Sequence, residues 1–181
     1  MKKTFVLLII VLCTTAQAQE KWSTKSGEIA FEASVPSFEE VKATNKQVGA
    51  IVKSDGTVAC LALMNGFRFK VALMEEHFNE NYVESERFPK AVLKGKIKDF
   101  NIEVLSETPV EFILTADLSL HGETKVIDVP VFLVREADGI GLTTEFQLKP
   151  EDFNIEIPSV VANKVAKSVD VSVSLKLKGN E

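Results

Sequence analysis

The residues able to do chemistry are few and scattered. The chain holds two histidines, His77 and His121, in separate segments. His77-x-x-Glu80 sets two metal-ligand types one helical turn apart. Two ligands alone hold a metal weakly, and no second ligand motif follows, so His77 reads as a residue on the flank of an apolar stripe that hydrogen-bonds nearby backbone. His121-Gly122 reads as a turn. Glu75-Glu76 and Glu84-x-Glu86 are paired carboxylates, but beside a helical stripe such pairs are wetted faces. Lys94, Lys96 and Lys98 alternate along a strand and form its outer face. There is no G-x-S-x-G elbow and no glycine-rich phosphate loop. Cys60 lies inside the apolar run Val58 to Met64 and reads as a small buried hydrophobe. No nucleophile, base and orienting group assemble, so the expectation is a non-enzyme, with no catalytic residue, metal or cofactor.

What the sequence has in surplus is apolar surface. It carries 12 Phe, and all but Phe5 lie beyond residue 18. Phe31, Leu61, Leu63, Phe67, Phe69, Met74, Phe78, Phe112, Leu114, Leu118, Phe132, Phe146 and Phe153 are the candidate lining and lid of an apolar interior. Such walls suit an alkyl or isoprenoid chain, each buried CH₂ of which contributes about 0.8 kcal/mol without any polar contact. The same rings could equally fill the interior and leave no cavity. On residue types alone both readings stay open.

Positioning these side chains falls to strands. Lys2 and Lys3, the apolar run Phe5 to Cys13 and Ala16-Gln17-Ala18 form a signal peptide over 1–18, which leaves 19–181 as one domain of an exported protein, periplasmic or extracellular. The apolar run is shorter than the roughly 20 residues a spanning helix needs. Lipidation at Cys13 is the competing reading, and Leu12 before it fits that poorly. The net charge of −5 becomes more acidic once Lys2 and Lys3 leave, which argues against nucleic acid as a partner. With Cys60 alone after residue 18, no intramolecular disulfide can form.

Period-two alternation predicts strands over Gln19–Ser26, Glu28–Val35, Phe38–Lys53 (with a bulge near Thr44-Asn45-Lys46), Thr57–Met64, Lys90–Phe100, Val110–Leu120, Thr124–Arg135, Ile140–Leu148 and a last one through Val169–Leu177. Asp55-Gly56 and Asp138-Gly139 have hairpin chemistry. Between strands, Met74, Phe78 and Tyr82 recur every four residues, a helix that Phe88-Pro89 should stop. The expected fold is all-β: an antiparallel up-and-down barrel of about eight strands, closed because an open sheet would leave bare edges, with the short helix as lid near one mouth.

Several motifs carry a resemblance. His77-Phe78 followed by Glu84-Ser85-x-x-Phe88-Pro89 resembles the central signature of the YceI-like, or polyisoprenoid-binding-like, family. Leu118 to Lys125 resembles its L-x-hydrophobic-H-G-x-T-K hairpin, Asp152-Phe153-Asn154-Ile155 its D-F-G-I element, and Val169 to Val173 its last strand. Asn154 stands where Gly is common. The resemblance implies a lipocalin-like barrel with a hollow interior. It also implies an exported protein that sequesters or carries a lipid-like small molecule such as a polyisoprenoid, an isoprenoid quinone or a fatty amide. The alternative is a non-enzymatic envelope structural or interaction protein with a filled core. A dimer is left open as a possible assembly.

Overall fold

The computed structural model describes residues 20–179; the signal segment 1–18 and Cys13 lie outside the described residues. Nine strands follow one another: β1 (Lys21–Ser34), β2 (Lys42–Lys53), β3 (Thr57–Leu63), β4 (Arg68–Phe69), β5 (Lys90–Ile97), β6 (Val110–Leu120), β7 (Glu123–Glu136), β8 (Gly139–Leu148) and β9 (Val165–Gly179). The sheet order is β1-β9-β8-β7-β6-β5-β3-β2, and β2 pairs back onto β1, so eight strands close an antiparallel barrel. Two-residue β4 is an annex on the end of β2. The lead-in strand and its successor are one strand, β1, which is bent by register shifts after Thr24 and Gly27. The second shift puts the extra residue on β2 between Asn45 and Val48, at the expected bulge.

That bulge decides where the barrel opens. β2 pairs with β3 only from Gly49↔Leu61 to Val52↔Val58; further along, β2 pairs with β4 instead. At the split, the buried Asn45 side chain donates to Leu63 O (2.9 Å) and accepts from Gln47 N (2.9 Å), so it satisfies groups the ladder has released. Residues 64–89 fill the gap between β3 and β5. Within them α1 (Ala72–His77) runs straight into one π-helical turn, Phe78–Tyr82. The helix ends well before Phe88-Pro89, because Val83 is its C-cap and Glu84 after it takes a positive φ of 44°.

The barrel interior divides into two halves. At the end carrying the β2–β3 and β7–β8 turns it is packed solid. Trp22, Val52, Ile97, Leu105, Leu133, Ile140 and Leu177 are buried there, and Phe100 meets Trp22 and Phe112 at ring distances of 6.5 and 6.0 Å. The β5–β6 connection folds across this end, tied down by Arg135, whose guanidinium donates to Ile102 O (2.6 Å) and Leu105 O (3.2 Å). The other half is hollow.

Candidate functional site

The hollow half is a cavity of about 510 Å³. Every barrel strand except β2 sends side chains into it: Ile29, Phe31 and Ala33 from β1, Val58, Cys60 and Ala62 from β3, Ala91 and Leu93 from β5, Leu114, Leu118 and Leu120 from β6, Val129 from β7, Leu142, Thr144 and Phe146 from β8, and Val171, Val173 and Leu175 from β9. The space exists because β3 and β5 put small residues inward. Cys60 faces Leu93, Ala62 faces Ala91, and Val58 faces Gly95. A Cβ at Gly95 would come within 2.3 Å of Thr115 O and 2.4 Å of the Ala116 Cβ, so the wall there is thin and close-set.

Of the candidate lining residues, Phe31, Phe67, Phe69, Met74, Phe78, Leu114, Leu118, Phe146 and Phe153 stand at the cavity. Four do not. Leu61 and Leu63 face outward, 37% and 43% exposed. Their cross-strand partners are Val92 and Lys90, on the lysine-bearing face of β5, and directly paired residues share a face. Phe132 is also outward, 37% exposed, between Glu111 and Thr143 on the neighbouring strands. Phe112 faces inward at the wrong level, in the packed end against Phe100. Residue types missed Cys60, Ala62, Ala91 and Val173, which are too small or too plain to stand out. The alternation of β5 (Ala91, Leu93), transferred to β3 through their pairing, was the signal that could have found the first three.

The mouth is built from three segments: the β1–β2 loop (Phe38, Glu39, Val41), the helical insertion, and the β8–β9 connection (Lys149 to Lys164). Four phenylalanines fix the insertion to the wall. Phe78 lies 5.4 Å from Phe31, 5.8 Å from Phe67 and 5.2 Å from Phe69, ring centre to ring centre. Glu75 is not the wetted residue the sequence suggested. One carboxylate oxygen accepts from Phe69 N and the other pairs with Arg68 (both 3.1 Å), which ties α1 to β4. His77 is exposed at the rim, and no hydrogen bond of its ring is found among the described residues, contrary to the expected backbone contact.

His121 does more than turn a hairpin. Its ring is nearly buried, with Nδ1 2.9 Å from Phe153 O and Nε2 3.1 Å from a Glu84 carboxylate oxygen. A carbonyl oxygen only accepts, so Nδ1 carries a hydrogen. Phe88 packs edge-on against the ring at 4.5 Å, and Gly122, at φ 81°, leaves it room: a Cβ there would lie 2.8 Å from Phe88 Cε1. Asn154 follows Phe153 at φ 53° and donates to Glu123 (2.8 Å). Asn tolerates this left-handed geometry, which is where Gly would otherwise be favoured. Glu84, Phe88, His121, Gly122, Phe153 and Asn154 thus form one clamp. It joins the insertion, the β6–β7 hairpin and the β8–β9 connection behind two cavity walls, Val83 and Phe153.

Inside the cavity the polar groups are muted. Thr144 Oγ1 donates to Pro130 O at 2.6 Å. Burial pushes the Cys60 thiol up from 9.0 to about 11, only partly opposed by a backbone hydrogen bond from Leu61. Neither group offers a nucleophile or a base at neutral pH.

A family model described as the YceI-like domain matches residues 21–177. Among solved structures, the barrel is similar to a polyisoprenoid binding domain from Saccharophagus degradans implicated in plant cell wall breakdown (TM-score 0.79, 15% identity, covering 90% of this chain and 100% of that one). It is also similar to Burkholderia cenocepacia BcnA (TM-score 0.68, 13% identity, 85% and 96% covered) and to a Campylobacter jejuni YCEI protein (TM-score 0.56, 10% identity, 100% and 94% covered). At these identities the likeness is one of fold. No curated protein matches the sequence.

Proposed function

The chain belongs to the YceI-like family, and from that premise we propose that it is an exported, non-enzymatic binding protein that sequesters or carries a lipid-like molecule, its apolar tail inside the barrel. One observation carries the reading: half of the interior is an apolar hollow of about 510 Å³, within the roughly 300–1,000 Å³ of small-molecule sites. The description of the Saccharophagus degradans relative as polyisoprenoid-binding points the same way. Removal of residues 1–18 and delivery outside the cytoplasm belong to this proposal and rest on the N-terminal pattern.

The test fills the hollow. Ala62 is buried, and its Cβ faces the cavity. Ala62→Phe places a ring in empty space, so the variant should melt within about 1–2 kcal/mol of the parent. It should also lose at least tenfold in affinity for a fluorescent alkyl or prenyl probe. A folded Ala62→Phe variant that binds as well as the parent, or a parent that takes up no such probe and carries no lipid in native mass spectra from its own host, would overturn the proposal.

A further inference from the structure

We infer that copies of this chain associate head to tail, the outer face of β2, β3 and β5 on one copy against the outer face of β6, β7 and β8 on the next. Charge separates the two faces. The neighbouring strands β2, β3 and β5 hold Lys42, Lys46, Lys53, Lys90, Lys94 and Lys96, and no Asp or Glu. Lys42 and Lys46 pair with Glu32 and Glu28 of β1, and Lys94 stands opposite Asp117 of β6. Lys53, Lys90 and Lys96 form no salt bridge among the described residues. The outward positions of β6, β7 and β8 are the reverse: they hold Glu111, Asp117, Asp128, Glu136 and Glu145, and no Lys or Arg. Lys125 and Arg135 of β7 pair with Leu118 and Ile140, so they belong to the inward set. None of these outward carboxylates forms a salt bridge among the described residues. Only at the ends of the basic face are signs mixed, with Asp55 and Lys98-Asp99 at the closed end and Glu86-Arg87 at the mouth.

Exposed apolar side chains gather on the same two faces. Among the barrel strands, Ile51, Leu61 and Leu63 are exposed on the basic face and Ile113, Val126 and Phe132 on the acidic one, while β9 and β1 expose no large hydrophobic residue. Apolar groups grouped within a charged surface mark a contact site more than single scattered ones do. Burying them also needs fitting shapes, because two convex barrel walls touch only along a line. Beside Phe132, the small residues Ala30, Thr143, Ser172 and Ser174 leave an outer groove of about 540 Å³, with Glu28 and Glu145 at its sides. The Leu61–Leu63 ridge seats in that groove, and Lys90, directly opposite Leu63, comes with it to the carboxylates. Opposite signs fix the orientation of the pair. An anionic bilayer would suit the basic face alone, whereas a second copy accounts for both. The two faces are different surfaces, so the contact repeats into a ring or an open chain. Three strands by seven residues cover roughly 14 by 24 Å, small for a permanent interface, so the association is reversible.

The experiment is sedimentation velocity from micromolar to millimolar protein, at low and at high salt. The parent's sedimentation coefficient should climb with concentration at low salt, and high salt should weaken the association roughly tenfold by screening exposed charge. Lys90→Glu with Lys96→Glu, and separately Glu111→Lys with Glu145→Lys, should each give a monomer. Mixed in equal amounts, the two variants should associate again, because each presents the sign that the other has lost. Leu61→Ser with Leu63→Ser leaves the charge unchanged and should weaken the parent's association by about fivefold or more. All of these side chains are exposed, so every variant should melt like the parent. A parent that stays monomeric throughout, alone or on anionic vesicles, would overturn the inference. So would leucine variants that associate as the parent does, or charge variants whose mixture stays apart. None of the substituted residues lines the hollow, so uptake of an apolar probe stands or falls separately.

Discussion

Cys60 shows how a single side chain reports on the hollow. Its thiol faces the apolar cavity, and burial raises it from 9.0 to about 11. The folded state therefore holds the thiol proton over a pH range in which the unfolded chain has lost it. Between those two values the folded state binds more protons, so stability falls as pH rises. The stabilising contribution is whole below about pH 9 and gone by about pH 11, a loss of at most about 3 kcal/mol. Urea midpoints taken across that range should decline for the parent, and Cys60→Ala should flatten this part of the decline. An identical slope in both proteins would show that the thiol does not sit in the surroundings described.

At the scale of elements, the insertion between β3 and β5 is held from two sides. The four-phenylalanine cluster grips it from the barrel wall, and the His121 clamp grips its far end. Glu84, His121 and Asn154 all take left-handed backbone, at φ 44°, 50° and 53°, which is unfavourable by about 1–2 kcal/mol for residues other than Gly. The clamp's contacts must offset that. His121→Ala leaves Phe153 O without its donor and removes the packing against Phe88, so the protein should lose about 2–3 kcal/mol. Glu84→Gln keeps a hydrogen-bonding group beside Nε2 and should lose less than half of that. In hydrogen exchange, His121→Ala should speed residues 64–89 and leave the β6–β7 ladder protected; uniform acceleration would mean that the clamp supports the whole barrel rather than the insertion. These same segments were visible in the sequence as motifs, but not as a clamp, because Glu84, His121 and Phe153 are far apart in the chain and only barrel closure brings them together. Strands with clean alternation, β6 above all, could be read residue by residue, face included. β3 could not: TVACLAL is apolar on both faces, so its parity is set by pairing with β5, and Leu61 and Leu63 end up outside. Phe132 was misplaced for its size, although β7's own alternation of Val129, Val131 and Leu133 puts it outside.

Considered whole, the molecule separates the job of staying folded from the job of enclosing space. One end of the barrel has native-like packing, and the other has walls that face nothing. Truncating a side chain should therefore have different effects at the two ends. Leu133 is fully buried in the packed end, and Leu133→Ala removes its contacts and leaves an enclosed void, a loss of about 3–5 kcal/mol. Leu118 lines the hollow, so part of its surface has no partner to lose, and Leu118→Ala only enlarges a void that is already there. Its loss should be about 1–2 kcal/mol, close to the transfer term alone. Urea midpoints with unchanged slopes would establish the contrast. A ligand should then reverse part of it. Once an apolar tail fills the hollow, Leu118 gains the neighbours it lacks, and its truncation weakens binding as well as the fold. At saturating ligand the penalty of Leu118→Ala should grow, while that of Leu133→Ala should stay as it was, because Leu118 lines the cavity and Leu133 does not. Equal penalties at both ends without ligand would mean that the upper half is packed like the lower, and the cavity would lose its physical basis.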